Sequence, residues 1–320
     1  MKRQLGASLC AAVLALSARA QSASDPLAAV NAALQAGQAD QALSLLNSAP
    51  ASAEAHNLRC RVLLTVENWD GAGSECQLAV NMDGQNSVEH DWLGRAFGQR
   101  AAHASFLTAY SLAKQTVAEF QTAVKLDPRN ADALYDLGDY YNSAPSVVGG
   151  GADKAQSTEA QLAPVAPARA DKLLAEIADG HKDYTTEESE LKAAIAVDPH
   201  PALSWASLAS FYRKRQEWTN LDAAIQSALT AAQKDPQASE AYFNAATVLI
   251  AANRNPQLAM TLLGDYLASS IKTEDAPAFV AYTDLAKLKA AAGDKTGASQ
   301  ARSAALALAN EYKPAQGLKF

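Results

Sequence analysis

The sequence predicts an all-α chain built as a solenoid of about eight helix pairs, and three observations carry that expectation. Hydrophobic residues make up 49% of 320 residues, yet Phe and Met number only 7 and 3, because alanine supplies the largest share. Alanine is the strongest helix former, and its small side chain lets helices approach closely. Runs of β-branched residues are scarce, and the prolines that close the tripeptides LDP, VDP and KDP stand at Pro128, Pro199 and Pro236. Those spacings of 71 and 37 approach two units and one unit of a 34-residue period, the signature of stacked helix pairs.

The N-terminus precedes the repeats and reads as a secretory signal. Lys2 and Arg3 are followed by an apolar run from Leu5 to Ser17, and Ala18-Arg19-Ala20 gives a small-x-small site. Cleavage after Ala20 and a periplasmic or secreted product are expected. Cys10 follows Ala7-Ser8-Leu9, without the small neighbour a lipoprotein signal needs, so it leaves with residues 1–20. The apolar run is too short for a stable anchor, and no later segment is apolar enough to form a transmembrane helix. Cleavage removes three of the 27 basic residues and none of the 34 acids, taking the formal charge from −7 to −10. That balance argues against nucleic acid, whose binding needs clustered cations. It suits basic or neutral partners, or a merely solvated acidic surface.

Residues 21–312 carry the repeats, with units starting near 27, 53, 87, 131, 168, 202, 239 and 279, and residues 313–320 are left as a tail. Unit 168–201 is 34 residues long, with Leu174, Ala175, Leu191, Ala194 and Pro199 at positions 7, 8, 24, 27 and 32. Unit 53–86 aligns without a gap, placing Ala72 and Ala79 at positions 20 and 27. Trp205, Leu208, Ala209 and Tyr212 open the sixth unit; Tyr282, Leu285, Ala286 and Gly293 open the eighth. Large residues at positions 4, 7, 11 and 24 fill the space between two antiparallel helices, and small ones at 8, 20 and 27 admit close backbones. Each pair leaves an apolar face that the next must cover. The units are therefore expected to be coupled only to neighbours, with the irregular unit 239–278 exchanging its amides before unit 168–201.

This pattern resembles the tetratricopeptide-repeat (TPR) family over nearly the whole of residues 21–312. The resemblance implies a right-handed α-solenoid whose concave surface binds a protein or peptide. The family's peptide clamp uses lysine at position 5 and asparagine at position 9; here Lys172 is followed by Glu176, so that clamp is not reproduced. The concave positions 5, 9 and 12 give Asn57, Arg61, Asp91, Arg95, Tyr135, Asp139, Asn142, Lys172, Glu176, Asp179, Ser210 and Arg213 as candidate binding residues. The segments WLGRAFGQRA (Trp92 to Ala101) and LGDYYNSAPSVVGGGADKA (Leu137 to Ala155) look like a subgroup of exported bacterial repeat proteins with no assigned biochemical role. A looser analogy is to the repeat-containing accessory component of periplasmic solute uptake.

Two adjacent units carry insertions between their helices, one around Ala101 to Ser111 and one at Ala144 to Asp153, and these are expected side by side on one edge as loops. Pro145 and Gly149-Gly150-Gly151 mark the second. A glycine run before a helix can expose amides to an anion, but no lysine–serine/threonine ending or preceding strand accompanies it, and Asp153 opposes an anion. A tight chain reversal is the competing reading. Cys60 and Cys76 fall at positions 8 and 24 of one unit and face each other across the pair. An oxidising compartment favours a disulfide, and the alternative is two reduced, buried thiols.

No catalytic motif is present: HExxH, GxSxG and CxxC are absent, and the five histidines show no ligand spacing. His90 and His103 are read as surface or capping residues, and Glu187, Glu188 and Glu190 as a solvated helix face. No metal and no cofactor is expected. The functional expectation is an exported, non-catalytic scaffold for a protein or peptide partner. The alternative is a small-ligand-binding accessory protein for periplasmic uptake, using a pocket between Tyr135 and Gly151.

Overall fold

The computed structural model describes residues 27–235 and 237–320. The signal sequence, its cleavage point after Ala20 and Pro236 lie outside the described residues. Among the described residues sixteen helices form eight antiparallel pairs, each beginning within one residue of the unit boundary expected for it. The pairs are α1 (Ala28–Gln35) with α2 (Ala39–Ser48), α3 (Ala53–Thr65) with α4 (Trp69–Met82), and α5 (Ser87–Ala102) with α6 (Phe106–Leu126). They continue as α7 (Ala131–Ser143) with α8 (Ala152–Leu162), α9 (Pro167–Gly180) with α10 (Tyr184–Val197), and α11 (Ala202–Arg215) with α12 (Trp218–Ala232). The last are α13 (Glu240–Ala251) with α14 (Pro256–Ala268) and α15 (Ala278–Ala291) with α16 (Lys295–Leu308), followed by a short α17 (Lys313–Gln316).

The small-residue rule accounts for the spacing. Position 8 holds Cys60, Ala175, Ala209, Ala246 and Ala286, all buried. At the same position Gly138 lies so close to α9 that a Cβ would sit 2.3 Å from Leu173 Cδ2. The intra-unit turn is equally regular. Position 15 is left-handed in Glu67, Lys182, Gln216 and Gly293. Position 16 then caps the second helix, with Asn68, Asp183 and Asp294 each accepting an N–H three residues on.

Three sequence expectations need correction, and the packing of the tail is added to them. The extra residues near Ala101 to Ser111 form no loop; they lengthen both helices, so that α6 runs for 21 residues after a three-residue turn. Glu187 is not solvated: it occupies position 20, where the second and eighth units place Ala72 and Ala298, and is buried against the Arg215 guanidinium. His90 is likewise buried, with Nδ1 2.6 Å from Glu119 Oε2 and Nε2 facing the Gly84 carbonyl. The tail is docked, since Arg302 donates to the carbonyls of Ala315 and Gln316 in α17.

The array also does more than stack neighbours: its two ends meet. Leu27, Val30, Leu34, Leu46 and Val62 share one apolar cluster with Phe279, Ala305, Ala309 and Tyr312. Asp40 accepts the Asn310 N–H, and Gly37 lies against Ala278 with no room for a Cβ. The solenoid therefore closes into a ring. Unit 239–278 departs from the repeat in its turn, where Asn253 and Asn255 are both left-handed, and in its terminal loop, yet Phe243, Leu249, Leu262, Leu263 and Tyr266 belong to the largest core cluster. That removes the basis for expecting it to open first.

Candidate functional site

Ring closure carries the segment between α14 and α15 across the concave surface of the second to fourth pairs. Glu274 on that segment accepts both Nε and Nη2 of Arg61, at 3.0 and 2.5 Å, and Gln35 adds a third donor at 3.4 Å. The sequence expectation turns Arg61 toward an external partner; an internal carboxylate 213 residues away occupies it instead. The Trp92 ring carries two guanidiniums over it, Arg61 at 5.0 Å and Arg95 at 4.4 Å from its centre. Both contacts are cation–π in kind and fix the floor of the groove.

What remains open is a cavity of about 730 Å³ lined by α3, α5, α6, α7 and the 274–277 segment. Five carboxylates border it, from Glu67, Asp136, Asp139, Glu274 and Asp275, against the guanidiniums of Arg61 and Arg95. Arg95 is consumed by Asp91 (3.2 Å) and Asp136 (2.5 Å), and Arg61 by Glu274. Among the described residues Asp139 and Asp275 have no hydrogen-bond or ion-pair partner, and both are exposed and border the cavity. Burial, followed by the charges of Glu176 and Asp136, pushes the Asp139 carboxyl up to about 6. Burial and the neighbouring Glu274 raise Asp275 in the same direction. Both acids are exposed on the cavity side, and carboxyls whose surroundings resist ionisation mark a place where added positive charge is stabilised.

The candidate residues do not converge on one place. Arg61, Arg95 and Asp139 border the cavity. Asn57 and Asp91, expected on the concave face, are buried behind it. The neighbouring first helix covers them: Asn57 donates to Glu89 at 2.6 Å, and Asp91 pairs with Arg95 on its own helix. Tyr135, Lys172 and Glu176 form the next cluster along, where the Tyr135 hydroxyl donates to Glu176 at 2.7 Å beneath the Lys172 and Arg169 cations. Asn142 sits beside Gly180, and Asp179 is held by Lys214 and Arg215. Ser210 lines a separate depression of about 170 Å³, and Arg213 reaches neither space.

The triple-glycine loop is not an anion cradle. Its three amides are used internally, Gly149 to Ser146, Gly150 to Pro145 and Gly151 to Tyr141. Lys154 Nζ is turned back onto the Gly149 carbonyl at 2.7 Å. The left-handed Gly149 (φ 109°) and a Gly150 Cα that leaves no space beside the Ala144 carbonyl make it a chain reversal. Cys60 and Cys76 are bonded within the second pair, with Cα atoms 5.3 Å apart. No group of three or more metal-ligating side chains occurs among the described residues, and no helix among them is long and apolar enough to cross a membrane.

These features define the fold as that of a tetratricopeptide-repeat solenoid, and solved structures agree. A thermophilic TPR protein from Thermus thermophilus, TTC0263, superposes with a TM-score of 0.51 at 19% identity, covering 58% of this chain and 96% of that one. Yeast Tom70 superposes with a TM-score of 0.59 at 14% identity over 93% of this chain, which spans 64% of the Tom70 chain. No family model matches the sequence, and no curated protein does.

Proposed function

We propose that the protein is an exported, non-catalytic TPR scaffold that binds a protein or peptide partner by accepting a basic side chain into the acidic cavity. Export is read from residues 1–20. The observation that carries the binding reading is the imbalance in the cavity, where both guanidiniums are already paired and neither Asp139 nor Asp275 has a cation bonded to it. A lysine or arginine entering there gains two carboxylates without displacing an existing pair. The experiment is selection from a random peptide library on the intact protein and on Asp139→Asn/Asp275→Asn. Enrichment of lysine or arginine that the variant abolishes supports the reading. Peptides with no basic preference, or equal capture by the variant, refute it.

One observation favours a second reading, a small cationic ligand of an uptake accessory protein. A volume of about 730 Å³ lies within the range that encloses small molecules. Native mass spectrometry separates the two, since a retained low-mass amine supports the second reading and its absence beside peptide capture supports the first.

A further inference from the structure

Of the first six residues of α6, Phe106 to Ser111, none is buried and only Ala109 is half-covered. They extend the third pair beyond the point where its neighbours can cover it, and they are the residues the repeat does not require. The side chains placed there are nonetheless apolar: Phe106 is 82% exposed, Leu107 81% and Tyr110 38%. A helix end that makes no core contact yet presents adjacent Phe and Leu has no intramolecular reason for its composition.

The second insertion lies against the same helix. The Tyr140 hydroxyl reaches the Ala113 and Val148 carbonyls at 2.7 and 2.9 Å, which ties the 144–151 loop to α6. Val147 on that loop is 65% exposed. Ala113 lies about 10 Å along the helix from Phe106 at 1.5 Å per residue, so the two insertions form one apolar rim.

Charge selects the partner. In a chain of net charge −7, no acid occurs from Trp92 to Ala118, whereas Arg100, His103 and Lys114 all do. Lys114 Nζ stands 4.8 Å from the Tyr110 ring centre, and Lys154 flanks the loop. Arg100 is paired with Asp70 at 2.9 Å and Asp153 precedes Lys154, so Lys114 is the cation placed nearest the exposed apolar side chains of α6 in sequence. Protruding Phe and Leu in front of Tyr and cations is the order in which side chains meet hydrocarbon, interface and headgroup. A protein partner is better matched by a flat or concave apolar patch with a polar rim. We infer that the α5–α6 tip, with Val147 beside it, docks the protein reversibly on an anionic lipid bilayer.

The test is co-sedimentation of the full mature chain with phosphatidylglycerol–phosphatidylcholine vesicles and with phosphatidylcholine vesicles alone. Binding to the anionic vesicles that weakens in high salt is expected. Phe106→Ser/Leu107→Ser should reduce it at least about tenfold while leaving thermal unfolding unchanged, because both side chains are exposed. Lys114→Gln should weaken it to a smaller degree. Failure of the wild type to bind anionic vesicles overturns the inference, as does undiminished binding by the double variant. Light scattering that shows the tip instead pairing two copies of the chain, or co-purification of a protein lost in the double variant, would equally assign the surface elsewhere.

Discussion

At the scale of single residues the interior is organised by carboxylates that share too few cations. Asp91, Asp136 and Asp132 surround Arg95, with Asp91 fully buried. Burial, partly offset by Arg95, pushes Asp91 up to about 7. The folded chain therefore binds more protons at this site than the unfolded chain between about pH 4 and pH 7, and stability falls as pH rises through that window. Asp91→Asn should be near neutral at pH 4.5 and should raise Tm relative to wild type by roughly 2 °C or more at pH 8. A difference that does not grow between those pH values would show that Asp91 is ionised throughout. The Cys60–Cys76 bridge contributes at the same scale, closing a loop of about 15 residues worth about 3 kcal/mol in the chain-entropy model. Cys60→Ala/Cys76→Ala should lower the denaturant midpoint to that of the reduced wild type; an unchanged midpoint would mean the bridge contributes nothing. The facing of these cysteines is legible from positions 8 and 24. The burial of Asp91 is not, because position 5 says which way a side chain leaves its helix and nothing of how tightly the neighbouring helix covers it.

Among the elements, the turns show why the repeat is readable and where it stops being so. Gly293 at position 15 is visible as a turn residue, but Glu67, Lys182 and Gln216 adopt the same left-handed backbone without announcing it. In the second and fifth pairs the cap at position 16, Asn68 or Asp183, fixes the turn strongly enough to impose that strain, whereas Glu217 after Gln216 makes no such cap. The 101–111 insertion misleads for a related reason: small and polar residues near a turn look like loop, yet Phe106 to Ala118 is a continuous helix-forming run. The segment between α14 and α15 gives no such signal, because an insertion in a loop does not say what it will lie against. Its role makes a direct prediction. A double-mutant cycle on Arg61→Ala and Glu274→Ala should give a coupling of about 1–2 kcal/mol, as suits a two-pronged, partly buried charge pair. Glu274→Ala alone should speed amide exchange of residues 271–276 at least about tenfold, since the segment is then held by fewer contacts. Coupling near zero would mean that Glu274 merely lies near Arg61.

For the molecule as a whole, ring closure converts a one-dimensional array into one whose first and last units support each other. A nearest-neighbour solenoid confines a mutation's effect to adjacent units. Here Phe279, fully buried and packed edge-on against Tyr312 at 4.9 Å, belongs to the same cluster as Leu27, Val30 and Leu46. Phe279→Ala should cost about 3–5 kcal/mol and should lower protection in residues 28–48, far away in sequence, as much as in α15 and α16. Protection that falls in the last two pairs alone would describe an open array. Periodicity reveals the eight units because each repeats its own packing code. It is silent on closure, which depends on the accumulated rotation of all eight pairs and on contacts such as Asp40 with Asn310 that occur once.

Closure is also what turns a concave surface into an acid-lined cavity, so partner binding is tested most directly from inside the ring. A photoreactive residue would replace Ser143, which borders the cavity with its side chain exposed, and a second would replace Leu78 as a control on the outer surface of α4. Irradiation in cells that express the full chain, followed by mass spectrometry of the adducts, gives the readout. A basic partner held in the cavity predicts a recurrent protein segment attached at position 143, bearing lysine or arginine near the crosslink. The adduct should be absent at position 78 and lost when Asp139 and Asp275 are changed to asparagine. Equal yields at the two positions, or adducts at 143 that survive the loss of both carboxylates, would contradict it.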